Sequence, residues 1–171
     1  MTQPLSIILK PLHLGFNSNV GAPCPLILSD ELHLRLLFYT ESPRDPNWDG
    51  TTVHIRDTED DTGIAMVSFD IYNAYYFGSP NDEALSGHRY HANGLEPYSQ
   101  YEIVNSEWLL SQEKMNQVHP YHSTRDFAAY RHFLFTFHDS CFEILAKNMT
   151  FETLNCSLME GISVAMKSLN K

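Results

Sequence analysis

Apolar residues recur at every second position over much of the chain, the period of a strand that turns one face to a core. In ELHLRLLFYT, Leu32, Leu34, Leu36 and Phe38 fall on one face and His33, Arg35 and Tyr39 on the other. GIAMVSFDIYNAYYF repeats the scheme, with Val67, Phe69 and Ile71 predicted inward and Ser68, Asp70 and Tyr72 outward. With TTVHIR at 51–56, this predicts three strands between residues 31 and 77. LSIILKPLHL and CPLILS, nearer the N-terminus, read as further strands. Their prolines suit sheet edges, because proline has no N–H to give to a ladder.

The segment RHFLFTFHDSCFEILAK reads as a hairpin. A turn at Asp139 and Ser140 sets Phe137 opposite Phe142, Phe135 opposite Ile144 and Phe133 opposite Ala146, so one face of the pair is apolar throughout. Helical spacing is scarcer. SEWLLSQEKMNQ predicts about three turns behind Ser106 as N-cap. SLMEGISVAMKSLNK opens with the capping box of Ser157 and Glu160 and keeps Leu158, Ile162, Ala165, Met166 and Leu169 on one stripe. The expected fold is mainly β (α+β): a single domain over residues 1–171, an antiparallel sandwich or open barrel of about seven to eight strands with a C-terminal helix packed on the sheet.

At 43% hydrophobic and 12% aromatic content, 171 residues fill a core without staples. The net charge of -10 disfavours nucleic acid and anionic membrane as partners, since both carry the same sign. A protein or a small polar ligand, basic or neutral, fits better. Protonating all nine histidines would bring the balance to about -1, so mild acid weakens any such attraction. No stretch approaches the roughly 20 apolar residues of a membrane span. Cys24, Cys141 and Cys156 are odd in number and lack a C-x-x-C, which fits free thiols and a cytoplasmic location.

Several segments could carry chemistry. Asp45, Asn47, Asp49 and Gly50 match the first half of a calcium loop, but Arg56 stands where the bidentate Glu belongs, and Pro46 with Asp49-Gly50 equally makes a turn. His88 with His91 and His119 with His122 form two H-x-x-H pairs that could supply four nitrogens to a divalent metal, although exposed loop histidines explain them as well. His138 shares a sheet face with Thr136, Cys141 and Glu143, so it reads either as a partner for the Cys141 thiol or as a turn residue. Leu134 and Leu145 lie on that face too and imply a covering layer.

The polar stretch over 78–99 is too long for an ordinary connection. Leu85, Tyr90, Leu95 and Tyr98 punctuate it as apolar anchors, in the manner of a packed Ω-loop. Asn81 is placed to cap a helical turn there. The loop nominates Glu83 and His88, with His138, for acid–base work, and Asn81, Asp82, Asn93 and Tyr98 for ligand contacts. Phosphate-loop, dinucleotide, nucleophile-elbow and metalloprotease motifs are absent, so no organic cofactor is implied. The leading expectation is a binding or accessory protein that presents this loop to a protein or small polar ligand. The alternative is a small β-rich enzyme using His/Glu acid–base chemistry or a His-bound metal, and edge-to-edge pairing of hairpins would give a homodimer.

Overall fold

The computed structural model describes residues 6–21, 25–41 and 63–169. Its strands are β1 (Ile8–Pro11), β2 (Leu26–Ser29), β3 (His33–Tyr39), β4 (Ile64–Gly78), β5 (Gln100–Val104), β6 (Arg131–Thr136) and β7 (Cys141–Leu154). Helices α1 (Glu107–Asn116) and α2 (Thr124–Phe127) lie between β5 and β6, and α3 (Leu158–Leu169) follows β7. The strands form one antiparallel sheet in the order β1-β5-β6-β7-β4-β3-β2. The two short proline-flanked segments are its edges, as their sequence predicts.

The sheet remains open but curls round its apolar face. Leu34, Leu36 and Phe38 of β3, Val67 and Phe69 of β4, Phe133 and Phe135 of β6, and Phe142 and Ile144 of β7 are buried in one cluster. Two strands separate β3 from β6, yet Phe38 meets Phe135 at 6.3 Å and Phe137 at 5.1 Å between ring centroids. Rings so far apart in strand order touch only when the sheet bends toward itself. Leu14 and Phe16, in the segment after β1, pack against the same cluster.

The bend has a local signature. Ile71 adopts a left-handed backbone (φ 55°), and the pairing of β4 with β7 shifts between Tyr72 and Ala74. Past this irregularity the parity of the core positions changes: Val67 and Phe69 give way to Tyr72 on β4, and Ile144 and Ala146 give way to Met149 on β7. Strict alternation places Ile71 inward and Tyr72 outward; the bulge reverses both, and Ile71 is 41% exposed.

The outer face is covered in two halves. Over β2, β3 and β4 lies α3, which buries Leu158 and Ala165 against Leu37, Tyr39, Ile64 and Met66. Gly161 permits this close approach, since a Cβ there would meet Leu37 Cδ2 at 3.3 Å. The capping box forms: Glu160 N–H donates to Ser157 Oγ at 3.3 Å, and Ser157 N–H donates to the Glu160 carboxylate at 3.1 Å. Arg35, on the outward parity of β3, is buried beneath the last turn of α3, donating to the Ser168 hydroxyl and carbonyl and to Asp70.

The hairpin differs from expectation by two residues. Phe135 pairs with Phe142, Phe133 with Ile144 and Thr136 with Cys141, while Phe137 N–H donates to Ser140 carbonyl at 2.8 Å. The connecting pair is therefore His138-Asp139 rather than Asp139-Ser140. A two-residue slip preserves faces in a period-two strand, so the apolar side survives the wrong register. β5 and α2 lack clear periodicity and were not foreseen. The predicted strand at 51–56 and the half calcium loop at Asp45–Gly50 lie outside the described residues.

Candidate functional site

On β6 the parity that buries Phe133 and Phe135 turns His132, Leu134 and Thr136 outward. On β7 it does the same for Cys141, Glu143 and Leu145. Register sets Leu134 opposite Glu143 and His132 opposite Leu145, so His132 and Glu143 are diagonal neighbours on the outer face. Residues 79–99 lie across this face. Leu85, Tyr90 and Leu95 are buried with Tyr101, Ile103, Leu134 and Cys141, and two single 3₁₀ turns (Leu85–Gly87 and His91–Asn93) keep the chain compact between them. Each anchor contributes on the order of 1.5–3 kcal/mol of burial, more than a typical hydrogen bond, so apolar contacts fix the loop and polar groups define its position.

Glu143 is buried by this cover, at 3% exposure, and a charge in that position requires partners. Arg89 donates from Nη2 to Oε2. His132 Nε2 lies 2.9 Å from the same oxygen, and its Nδ1 is 2.8 Å from the Ser106 hydroxyl. Ser106 is the N-cap of α1 and accepts from Leu109 N–H at 3.0 Å. Its own proton is thereby free for His132 Nδ1, which leaves the imidazole proton on Nε2, facing the carboxylate. Burial pushes His132 below its usual range despite the nearby carboxylate, so it is a neutral donor at pH 7. Burial alone would raise Glu143; the hydrogen bond from His132, the His88 imidazole facing it and the charge of Arg89 outweigh it and hold the carboxyl well below its usual range.

The other carboxylate oxygen is treated differently. Oε1 has His88 Nε2 at 3.6 Å and no donor within hydrogen-bond distance among the described residues. His88 Nδ1 accepts from Tyr90 N–H at 3.2 Å, so Nε2 is the nitrogen that faces Glu143. Glu143, His88 and Arg89 line a cavity of about 450 Å³ whose walls include Tyr75, Tyr76 and Trp108. Tyr76 pairs with Glu143 across β4 and β7, and Trp108 packs edge-on to His132 at 5.1 Å. Ser79, Pro80 and Gly87 complete the lining.

A second cluster joins both ends of the loop to the hairpin turn. Tyr98 donates its hydroxyl to Asp82, and His138 Nδ1 lies 3.0 Å from the same carboxylate oxygen. The Tyr98 and His138 rings are stacked at 11°, and Asp82 N–H donates to the His138 carbonyl. The hydrogen bond to Asp82 raises His138. Burial and the Asp82 bond raise Tyr98. Burial opposes the charge of Asp82, but its two hydrogen bonds prevail and lower it.

Of the residues nominated from sequence, the structure brings together Asp82, Tyr98 and His138, and it sets His88 at Glu143. Asn81 accepts from Ala84 N–H at 3.0 Å and caps a turn, and Asn93 donates to the Ile7 carbonyl at 3.2 Å. Glu83 is exposed, and no hydrogen bond or ion pair joins it to His88. His91 is exposed on the loop. His119 Nδ1 accepts from Tyr121 N–H, while His122 faces Glu113 and Asn116 beyond α1. Among the described residues, no three His, Cys, Asp or Glu side chains converge as metal ligands. Cys141 is buried, its thiol pushed up to about 12 by burial and Glu143, and it donates to the Pro80 carbonyl rather than pairing with His138.

Sequence reasoning did not select Glu143, His132, Arg89, Ser106, Tyr75, Tyr76 or Trp108. A signal existed for the first two: a carboxylate and an imidazole among leucines on a face that needs a cover must be buried, and must therefore be partnered. Compared with protein-family models, curated proteins and solved structures, the chain matches none. No helix among the described residues is long and apolar enough to cross a membrane.

Proposed function

We propose that the protein binds a small polar ligand in the cavity between the loop, α1 and the outer face of the sheet. One observation carries the reading. A carboxylate that is 3% exposed lines an aromatic-walled cavity with one of its oxygens short of a donor among the described residues. Buried acceptors are ordinarily filled, and one left open toward a cavity marks where an occupant is expected to donate. The dimensions suit a small molecule, and the loop's apolar anchors support a fixed wall over a flexible arm presented to another protein. The cavity network reads as a holder of position rather than as acid–base machinery, since Glu143 is stabilised as an anion and His132 has both nitrogens engaged.

Gly87 provides the test. It lines the cavity, and a Cβ added there meets nothing within 4 Å, so Gly87→Trp puts a bulky side chain at the site with no clash at its Cβ. Saturation-transfer NMR against a panel of amino acids, sugars, nucleosides and simple amines is expected to give binders that Gly87→Trp abolishes while the amide spectrum stays folded. A panel with no binder, or binders indifferent to the substitution, would overturn the reading.

A further inference from the structure

We infer that the ligand is a small zwitterion, carrying a protonated amine and a carboxylate on an apolar body, the chemistry of an amino acid. This rests on the cavity reading above and specifies what the cavity takes.

Glu143 and Arg89 bring two opposite formal charges to the site. Glu143 offers Oε1, an acceptor that His88 Nε2 faces at 3.6 Å and that has no donor within hydrogen-bond distance among the described residues. An N–H bearing cation completes it, and an ionised pair of this kind is shorter and stronger than a neutral one. Arg89 commits Nη2 to Glu143 Oε2, while its side chain remains 53% exposed at the rim. A guanidinium carries five N–H donors in a planar fork and can serve Glu143 and a second carboxylate together. The two charges cancel within the site. A bare anion would meet Glu143 and the field of a protein of net charge -10. A bare amine would add a second positive charge beside Arg89 and leave the site with an excess of one. An occupant carrying both signs satisfies both groups and leaves the site neutral.

The walls point the same way. Tyr75, Tyr76 and Trp108 give aromatic surface beside Glu143, which favours an ammonium through ring faces and an apolar side chain through burial. Tyr75 and Trp108 make no side-chain hydrogen bond among the described residues, so their polar edges are uncommitted. Ser106 holds His132 in the tautomer that donates from Nε2 to Glu143 Oε2, which leaves Oε1 as the oxygen available on the cavity side.

Three matched probes decide the matter, because they share one apolar body: L-phenylalanine, phenethylamine and 3-phenylpropionate, with D-glucose as an uncharged polyol. Binding is followed through the Trp108 indole N–H signal, assigned by its loss in Trp108→Phe. Phenylalanine is expected to bind at least tenfold more tightly than either half-probe. Glu143→Gln is expected to weaken phenylalanine at least tenfold and to tighten 3-phenylpropionate, since Arg89 is released from its partner. Arg89→Gln is expected to weaken phenylalanine and spare phenethylamine. If Glu143→Gln fails to fold, Arg89→Gln and the unmutated protein's probe series still decide. Equal affinity for phenylalanine and one half-probe overturns the zwitterion in favour of a simple cation or anion site. Binding of glucose alone, blocked by Gly87→Trp, overturns it and leaves the cavity reading standing. Absence of any response to the phenyl probes overturns it, and the broader panel then decides the cavity reading separately.

Discussion

At the scale of single residues, burial decides which titrations are felt by the fold. Glu143 is held below the ordinary carboxyl value of 4.5, so its stabilising contribution is complete above that pH and is lost as pH falls toward its folded value. Glu143→Gln should cost about 3 kcal/mol at pH 7 in urea denaturation, the range found when one partner of a buried pair is removed. The gap to the parent protein should narrow below pH 4.5; a constant gap would mean the carboxylate is not ionised in the fold. His132 has the same sign at higher pH. Its folded value is depressed below 6.5, so stability falls as pH drops through 6.5 and the unfolded chain takes the proton first. His138 is opposite. Its folded value is raised, so it stabilises below 6.5 and that contribution is lost as pH rises through the folded value. Solvent screening at this half-exposed side chain limits the effect to about 0.5 kcal/mol. Stability curves of His138→Gln should therefore lack a small gain on passing from pH 8 to 6. Cys141 gives a third readout: with its thiol pushed up to about 12 and buried, iodoacetamide should label it only after unfolding, as peptide mass spectrometry can show.

At the scale of elements, two serines head helices but carry different loads. Ser157 caps α3 within a self-contained box, so Ser157→Ala should cost about 1 kcal/mol. Ser106 caps α1 and also donates to buried His132, so Ser106→Ala removes the cap and strands an imidazole nitrogen, for about 2–3 kcal/mol. Equal losses in denaturant titration would show that the His132 bond contributes nothing. These helices were legible because their signals are local: an N-cap, a capping box and a repeating stripe all lie within a few turns. The strands of the central hairpin were legible for the same reason, although their register was not, since slips by two keep every face. Ile71 was misplaced because a bulge leaves no mark in hydrophobicity. The site was half legible. The loop announced itself by length and polarity, and Asp82, Tyr98 and His138 do meet. Glu143 and Arg89 are far apart in sequence and meet only through strand order and the path of the loop, which alternation cannot encode.

At the scale of the whole molecule, topology separates what forms early from what forms late. The β6–β7 hairpin closes across two residues, His138 and Asp139, and brings four buried phenylalanines together with little loop entropy. The longest ladder, β4 with β7, joins Val67 to Phe151, and β1 reaches β5 by pairing Leu9 with Ile103. Such non-local pairings must close large loops before they are rewarded, which places folding in the milliseconds-to-seconds range rather than microseconds. Refolding by stopped-flow fluorescence should fall in that range. The hairpin also brings the phenylalanines of the concave cluster together at low loop-entropy cost, so its contacts should already be present at the barrier. Phe135→Leu should then slow refolding, while Leu9→Ala at the sheet edge should leave refolding nearly unchanged and speed unfolding. The reverse partition would place the nucleus at the edge where β1 joins β5.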